Sequence, residues 1–320
     1  VENIVTTSDE LYQADLDMKG KVANAATKEV LNYREAMQLG FNLVRTNKLL
    51  TLKEIKAIQQ VLEKNSAGFR TVPGTMLKSS RGDIVYTPPQ SGHAVEELMA
   101  NLEKYINIPE LHDVDPLIKM AVIHHQFESI HPFYDGNGRT GRIIAILYLV
   151  VNDLLDLPIL YLSRYITHNK SEYYRLIQQV RDLEPDNEAA WEEWILFVLK
   201  GVEETAQETI RLVKGISALM TRYKDILRPL FGNRYKHELI NNLFFHPYTK
   251  IEFLEKDMMV NRVTAAKYLD MIVDAGLLEK VKMGRSNYYI NSALMGLFMA
   301  QNYHPDTKTD IVESVSGLVQ

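Results

Sequence analysis

Apolar positions recur at i, i+3, i+4 spacing along most of the chain, which predicts a mainly α-helical protein. Ala25–Thr46 and Leu52–Asn65 follow this period, and Val95, Leu98, Met99, Leu102 and Ile106 form a further stripe. Pro116 suits the first turn of a helix running to about Ile130, where its missing N–H is not needed. Arg139–Val151 is strongly apolar and reads as a buried helix. Asn187 is placed to cap a long helical stretch reaching roughly Leu227, rich in Glu early and in Arg and Lys late as the helix dipole favours. Gly201 is the expected interruption of that stretch. Phe69–Gln90 breaks the helical period. Pro73-Gly74, the polar run from Ser79 to Asp83, the β-prone Ile84-Val85-Tyr86 and Pro88-Pro89 predict a hairpin with a hard stop.

Phe231–Tyr235 marks an expected boundary. Beyond it come helices at Lys236–Phe245, Ile251–Met258 and Val263–Ala275, a capping Gly276, and strand-like Leu278–Val281 and Asn287–Ile290 around a Met283-Gly284-Arg285 turn. This order resembles a winged helix-turn-helix. Arg262, Lys267, Lys280, Lys282 and Arg285 supply basic charge for phosphates. The whole chain, however, carries a net charge of −5 with a pI near 6.0, which favours a protein-docking or dimerising module over DNA binding. The expected division is an N-terminal segment at 1–65, a main domain at 66–230 with its hairpin at about 75–87, a small domain at 236–300 and a polar tail at 301–320. The absence of cysteine excludes disulfides, thiolate catalysis and cysteine zinc sites, and fits a reducing, cytoplasmic setting. The longest apolar run, Ile143–Val151, is too short to span a bilayer, and no signal-peptide pattern is visible.

Residues 131–142 concentrate the chemistry: His-Pro-Phe-Tyr-Asp-Gly-Asn-Gly-Arg-Thr-Gly-Arg. His131 can accept a proton near neutral pH. Asp135 is a hard oxygen ligand suited to Mg²⁺ on phosphates. Gly136-Asn137-Gly138 offers backbone N–H groups at a helix N-terminus, where the dipole favours an anion. Arg139 and Arg142 share one face of the first turn. Cations there oppose the dipole, which points to an anion between them. Any one of these residues alone is ordinary turn or surface chemistry. Their order and spacing together are not.

The run resembles the Fic family signature H-x-F-x-[DE]-G-N-G-R-x-x-R at every specified position: His131, Phe133, Asp135, Gly136, Asn137, Gly138, Arg139 and Arg142. The resemblance implies a Fic-type helical bundle with a β-hairpin flap, and transfer of AMP from ATP to a Ser, Thr or Tyr hydroxyl of a protein, itself included. Doc-type kinases carry lysine for the second glycine of the turn, so Gly138 favours adenylylation over phosphorylation. By the same resemblance, His131 is the general base and Asp135 holds Mg²⁺. Nucleotide contacts fall to Gly136, Asn137, Gly138, Arg139, Gly141, Arg142, Tyr173 and Tyr174, and Asp83, Ile84, Val85 and Tyr86 form the target-holding flap. An asparagine that some relatives place in the adenosine pocket would fall at Arg181, so this chain departs there. Glu2 and Asn3 resemble the last part of the inhibitory motif [ST]-x-x-x-E-[GN], whose first residue would lie before Val1.

Rival readings come from other classes. His124, His125, Glu128 and His131 crowd together like metal ligands, but adjacent residues on a helix point about 100° apart and cannot easily share an ion. His124 and Phe127 read instead as packing behind the site. A DNA-binding regulator that only senses nucleotide is one alternative. A phosphodiesterase that removes AMP, with Glu2 activating water, is another.

Overall fold

The structure, a computed structural model, describes residues 25–79, 81–111, 113–182, 187–283 and 286–300. Helices α1 (Ala25–Asn47) and α2 (Leu52–Glu63) pack together and against α5 (Asn137–Val151). Helix α2 starts from a capping box, in which the Thr51 N–H donates to the Glu54 carboxylate at 3.0 Å. Ser91 caps α3 (Gly92–Asn107). Asp115 caps α4 (Pro116–Ile130), accepting the Leu117 N–H at 2.8 Å ahead of the proline in the first turn. Two shorter helices follow, α6 (Leu162–His168) and α7 (Lys170–Asp182), and then α8 (Glu188–Phe231), whose Asn187 cap accepts the Ala190 N–H at 3.0 Å.

Two compact units result, divided after Ala206 inside α8. The core of the first contains Ile55, Met99, Phe127, Phe133, Leu147 and Trp194, all fully buried. Helix α5 is buried along nearly all of its length, so the apolar run that is too short for a membrane is the centre of this bundle. On the bundle stands an antiparallel hairpin of β1 (Leu77–Lys78) and β2 (Ile84–Tyr86), with Leu77 opposite Tyr86 and a bulge before the Lys78–Ile84 pair. Ser79 Oγ closes its turn by accepting the N–H groups of Arg81 and Asp83 at 3.2 and 3.3 Å.

The second unit gathers Tyr223, Leu227 and Phe231 of α8 with α9 (His237–Phe245), α10 (Ile251–Met258) and α11 (Arg262–Asp274). A three-stranded antiparallel sheet runs in the order β3 (Tyr248–Thr249), β5 (Ser286–Ile290), β4 (Glu279–Met283), followed by α12 (Ser292–Ala300). Buried Asn291 ties it together, accepting from Leu294 N and donating to the Leu243 carbonyl.

The structure departs from the sequence expectation in particular places. Strand β3 and helix α12 were not expected, since a two-residue strand has no readable period. The two compact units meet inside α8, and the last turns of that helix carry Tyr223, Leu227 and Phe231 into the second core. Gly201 does not interrupt α8. A Cβ there would sit 2.5 Å from the Tyr165 ring, so the glycine is required by packing. Among the described residues no helix is long and apolar enough to cross a membrane.

Gly201→Ala sets two effects against each other. Alanine gains up to about 1 kcal/mol of helix propensity, while forcing the buried ring aside costs about 1–3 kcal/mol. The net expectation is a loss of about 1 kcal/mol in urea unfolding, and a stabilised variant would contradict the packing assignment.

Candidate active site

A helix leaves its last carbonyls without intrahelical partners. At the end of α4 the first is met by the cap residue and the others from elsewhere. The Phe127 carbonyl accepts His131 N at 3.0 Å, and the Glu128 carbonyl accepts Arg181 Nη2 at 2.9 Å. The Ser129 carbonyl accepts the Tyr86 hydroxyl at 3.0 Å, and that of Ile130 accepts Arg70 Nη2 at 3.1 Å. Arg70 goes on to donate from Nε to the His131 carbonyl at 2.8 Å, from its backbone N to Pro132 at 2.9 Å, and from Nη2 to Pro89 beyond the hairpin. His131 therefore sits at a pinned helix terminus, with left-handed φ 50° and ψ 59°.

The chain then turns back through two anchors. The Phe133 ring packs 5.2 Å from Phe69 and 6.3 Å from Phe127. The Asn137 side chain clasps Phe133, accepting its N–H and donating to its carbonyl, both at 2.8 Å. Gly136 adopts φ 75°, a conformation that favours glycine, and donates its N–H to Asp135 Oδ1 at 2.7 Å. Helix α2 braces this loop from outside: Gln59 donates to the Asp135 carbonyl at 3.3 Å, and Glu63 pairs with Arg139 at 2.9 Å. Arg139 also pairs with Glu29 of α1 and lies 3.9 Å from Asp135 Oδ1.

Between the hairpin, the α4 terminus, the start of α5 and α7 lies a cavity of about 940 Å³. His131, Gly138, Arg142, Tyr173, Tyr174 and Val85 border it, as do Glu128 and Arg181. The remaining predicted residues stand elsewhere. The Asp135 side chain is 76% exposed beside the loop. Gly136 and Asn137 are buried within the loop, and Arg139 is held by acids of the first two helices. Gly141 is a packing glycine, since a Cβ there would lie 2.6 Å from Glu128 Oε1 and 3.1 Å from the Phe127 ring. Asp83 and Ile84 are exposed on the hairpin, whereas Tyr86 turns inward. Glu2 and Asn3 lie outside the described residues.

Burial lowers the His131 imidazole below its ordinary value; Glu128 opposes this, while Arg181 and Arg70 add to the fall. A neutral, proton-accepting ring at pH 7 follows. His124 Nε2 meets the Tyr173 hydroxyl at 3.0 Å, and His125 Nε2 meets the Ile177 carbonyl at 3.2 Å, so both rings are engaged in the core and neither faces a common ion. No local pattern in the sequence marks Arg70, Gln59, Glu63 or Glu29, because their partners lie far along the chain. Arg181 carries one signal, its departure from the asparagine that some resembling proteins place there.

Residues 49–149 match the Fic/DOC family, residues 1–42 the Fic/DOC family N-terminal region, and residues 219–294 the C-terminal domain described for the protein adenylyltransferase SoFic-like group. Residues 49–149 therefore carry a Fic/DOC domain. It is similar to Protein adenylyltransferase fic-1 of Caenorhabditis briggsae, 26% identical over 136 residues, which is 41% of this chain and 24% of that protein. It is also similar to Protein adenylyltransferase Fic of Aedes aegypti, 30% identical over 118 residues, or 36% of this chain and 23% of that protein. The chain thus spans about a quarter of the length of these curated relatives. Its fold is shared with a Fic family protein from Desulfovibrio desulfuricans G20, with TM-score 0.54 and 19% identity over 90% of this chain and 82% of that one. A Fic domain containing signaling protein from Bacteroides thetaiotaomicron VPI-5482 gives TM-score 0.53 and 16% identity over 67% and 82%. The mainly helical architecture and the matched signature loop thus occur together in this chain.

The two core histidines make stability depend on pH. Burial pushes His124 and His125 down to about 4 from an ordinary 6.5. Between those values the unfolded chain takes up protons that the fold refuses, so stability rises with pH and is fully present only above about 6.5. Each histidine contributes a slope of about 1.4 kcal/mol per pH unit in that window. His125→Gln should flatten the pH dependence of the urea-unfolding free energy by about that amount between pH 4.5 and 6, and an unchanged slope would show that His125 is not held neutral.

Proposed function

We propose that this Fic chain transfers AMP from ATP to a hydroxyl side chain of a protein. The observation that carries the reading is the sharing of one cavity by the His131 ring, the N-terminus of α5 at Gly138, the Arg142 guanidinium and the hairpin. The hydroxyl oxygen attacks the α-phosphorus, its proton passes to the neutral His131 ring, and the bond to the departing pyrophosphate breaks. Backbone N–H groups at the start of α5 meet the developing phosphate charge, and Arg142 meets the outer phosphates. The hairpin edge holds an extended target segment by main-chain pairing, with Ile84 and Val85 outward.

Mg²⁺ fits this chemistry, because such ions are commonly held by a single carboxylate and the phosphates themselves. Asp135 supplies that carboxylate: one oxygen takes the Gly136 N–H, and the exposed group remains open to a cation. When bound, the ion would neutralise phosphate charge. In the second unit, α9 to α11 followed by β4 and β5 support a winged-helix module that docks a protein or a second copy. The lack of cysteine supports work in the cytoplasm.

Incubation with α-labelled ATP and Mg²⁺ in a lysate, followed by mass spectrometry of labelled bands, tests the reaction directly. His131→Ala should lower transfer by about 10²- to 10⁴-fold while ATP binding persists, and wild-type rates in the variant would exclude the ring as base. Asp135→Ala should lose activity to a similar degree as chelation of Mg²⁺; full activity in a chelator would remove the metal from the mechanism.

The N-terminal glutamate is the proposed regulator. A carboxylate and a γ-phosphate compete for the same guanidinium fork, here Arg142. Glu2→Gly should therefore raise label incorporation well above wild type at saturating ATP, Glu2→Gln should raise it partly, and Arg142→Ala should be inactive in either background. Equal incorporation by wild type and Glu2→Gly would reject inhibition by this residue.

A further inference from the structure

Arg181 stands where some proteins of the resembling family place an asparagine, and from α7 it touches two other elements at once. Its Nε donates to Ser129 Oγ at 3.0 Å and its Nη2 to the Glu128 carbonyl at 2.9 Å, both on the last turn of α4. Its guanidinium carbon lies 4.0 Å from the centre of the Tyr86 ring on strand β2. The Tyr86 hydroxyl in turn donates to the Ser129 carbonyl at 3.0 Å. The Arg181 guanidinium thus lies over the Tyr86 ring while both side chains bind adjacent groups on the same helix end. A cation over an aromatic face is attracted by the ring quadrupole, more strongly where water is excluded. Arginine suits the place because its planar fork stacks and donates simultaneously, which neither asparagine nor lysine can do.

Ile84 and Val85 are exposed, and β1 is only two residues long. We propose that Arg181 is a positioning residue: stacked on Tyr86 and bonded to the α4 terminus, it fixes the height of the hairpin over His131 and hence the approach of the target hydroxyl. This rests on the proposed transfer reaction for its functional consequence, and on the geometry alone for its structural part. A displacement of about 1 Å in the reacting groups is enough to cost about a hundredfold in rate.

The test compares wild type with Arg181→Met, which keeps the stem and loses the stacked cation, with Tyr86→Leu, and with the double variant. Three readouts are taken on the full chain: hydrogen exchange of the Leu77–Tyr86 amides, affinity for a non-hydrolysable ATP analogue, and label incorporation from α-labelled ATP. Each single variant should speed hairpin exchange by about tenfold or more, which follows if the strut holds the hairpin closed. Analogue affinity should stay within about twofold, and incorporation should fall about 10- to 100-fold through kcat. The double variant should lose no more than the worse single one, as expected for groups acting as one unit. Unchanged hairpin exchange in Arg181→Met would overturn the proposal. A parallel tenfold loss of analogue affinity would also overturn it, by making Arg181 a nucleotide ligand. If wild type itself transfers no label, the transfer reading fails, and the exchange measurement still decides whether Arg181 holds the hairpin.

Discussion

The carbonyl end of α4 is the constraint on which the site depends. A buried helix terminus with unmet carbonyls is costly, since each orphaned group forfeits its hydration without replacement. Here the acceptors from Glu128 to Pro132 are satisfied by Arg70, Tyr86 and Arg181, drawn from before the hairpin, from the hairpin itself and from α7. Meeting that requirement brings three distant segments to one point. The same bonds place the His131 ring, close the hairpin against the bundle and bound the cavity. Stability of the helix end and geometry of the chemistry are therefore one arrangement.

The signature loop divides its labour in the same spirit. Only part of it faces the cavity. Asn137 is consumed in clasping Phe133, and Gly141 gives Glu128 and Phe127 the space they need. Arg139 is neutralised by Glu29 and Glu63, so a cation that would oppose the dipole of α5 is balanced by acids of the first two helices. Arg142, one turn further, borders the cavity. The two arginines look equivalent by spacing, yet their surroundings give them different tasks.

The buried polar groups behind the cavity follow a second rule. His124, His125 and Tyr173 are enclosed with Trp194 and Trp191 in an aromatic cluster, and each imidazole has a partner for Nε2. Their neutral state is a consequence of burial. It also keeps additional positive charge away from His131, whose own ring is already lowered by enclosure and by Arg181 and Arg70.

Much of this was legible in the sequence. The 3.6-residue period located the helices, and the Asn187 cap and the proline in the first turn of α4 act locally and leave a local mark. The hairpin could be read from its turn residues, and the run from His131 to Arg142 marked the matched domain by order and spacing. What the sequence by itself could not determine was which side of each motif residue faces the cavity, because that is set by partners far along the chain. Gly201 reads locally as a helix breaker, and only the Tyr165 ring packed on it shows why it stays helical. Arg181 reads as a departure from a pattern, and only the tertiary structure turns it into the contact between the hairpin and the helix that ends in His131. Local propensities act over a few residues and are written in the chain. The satisfaction of a buried helix end acts across the fold, and its partners are chosen only when the fold is complete.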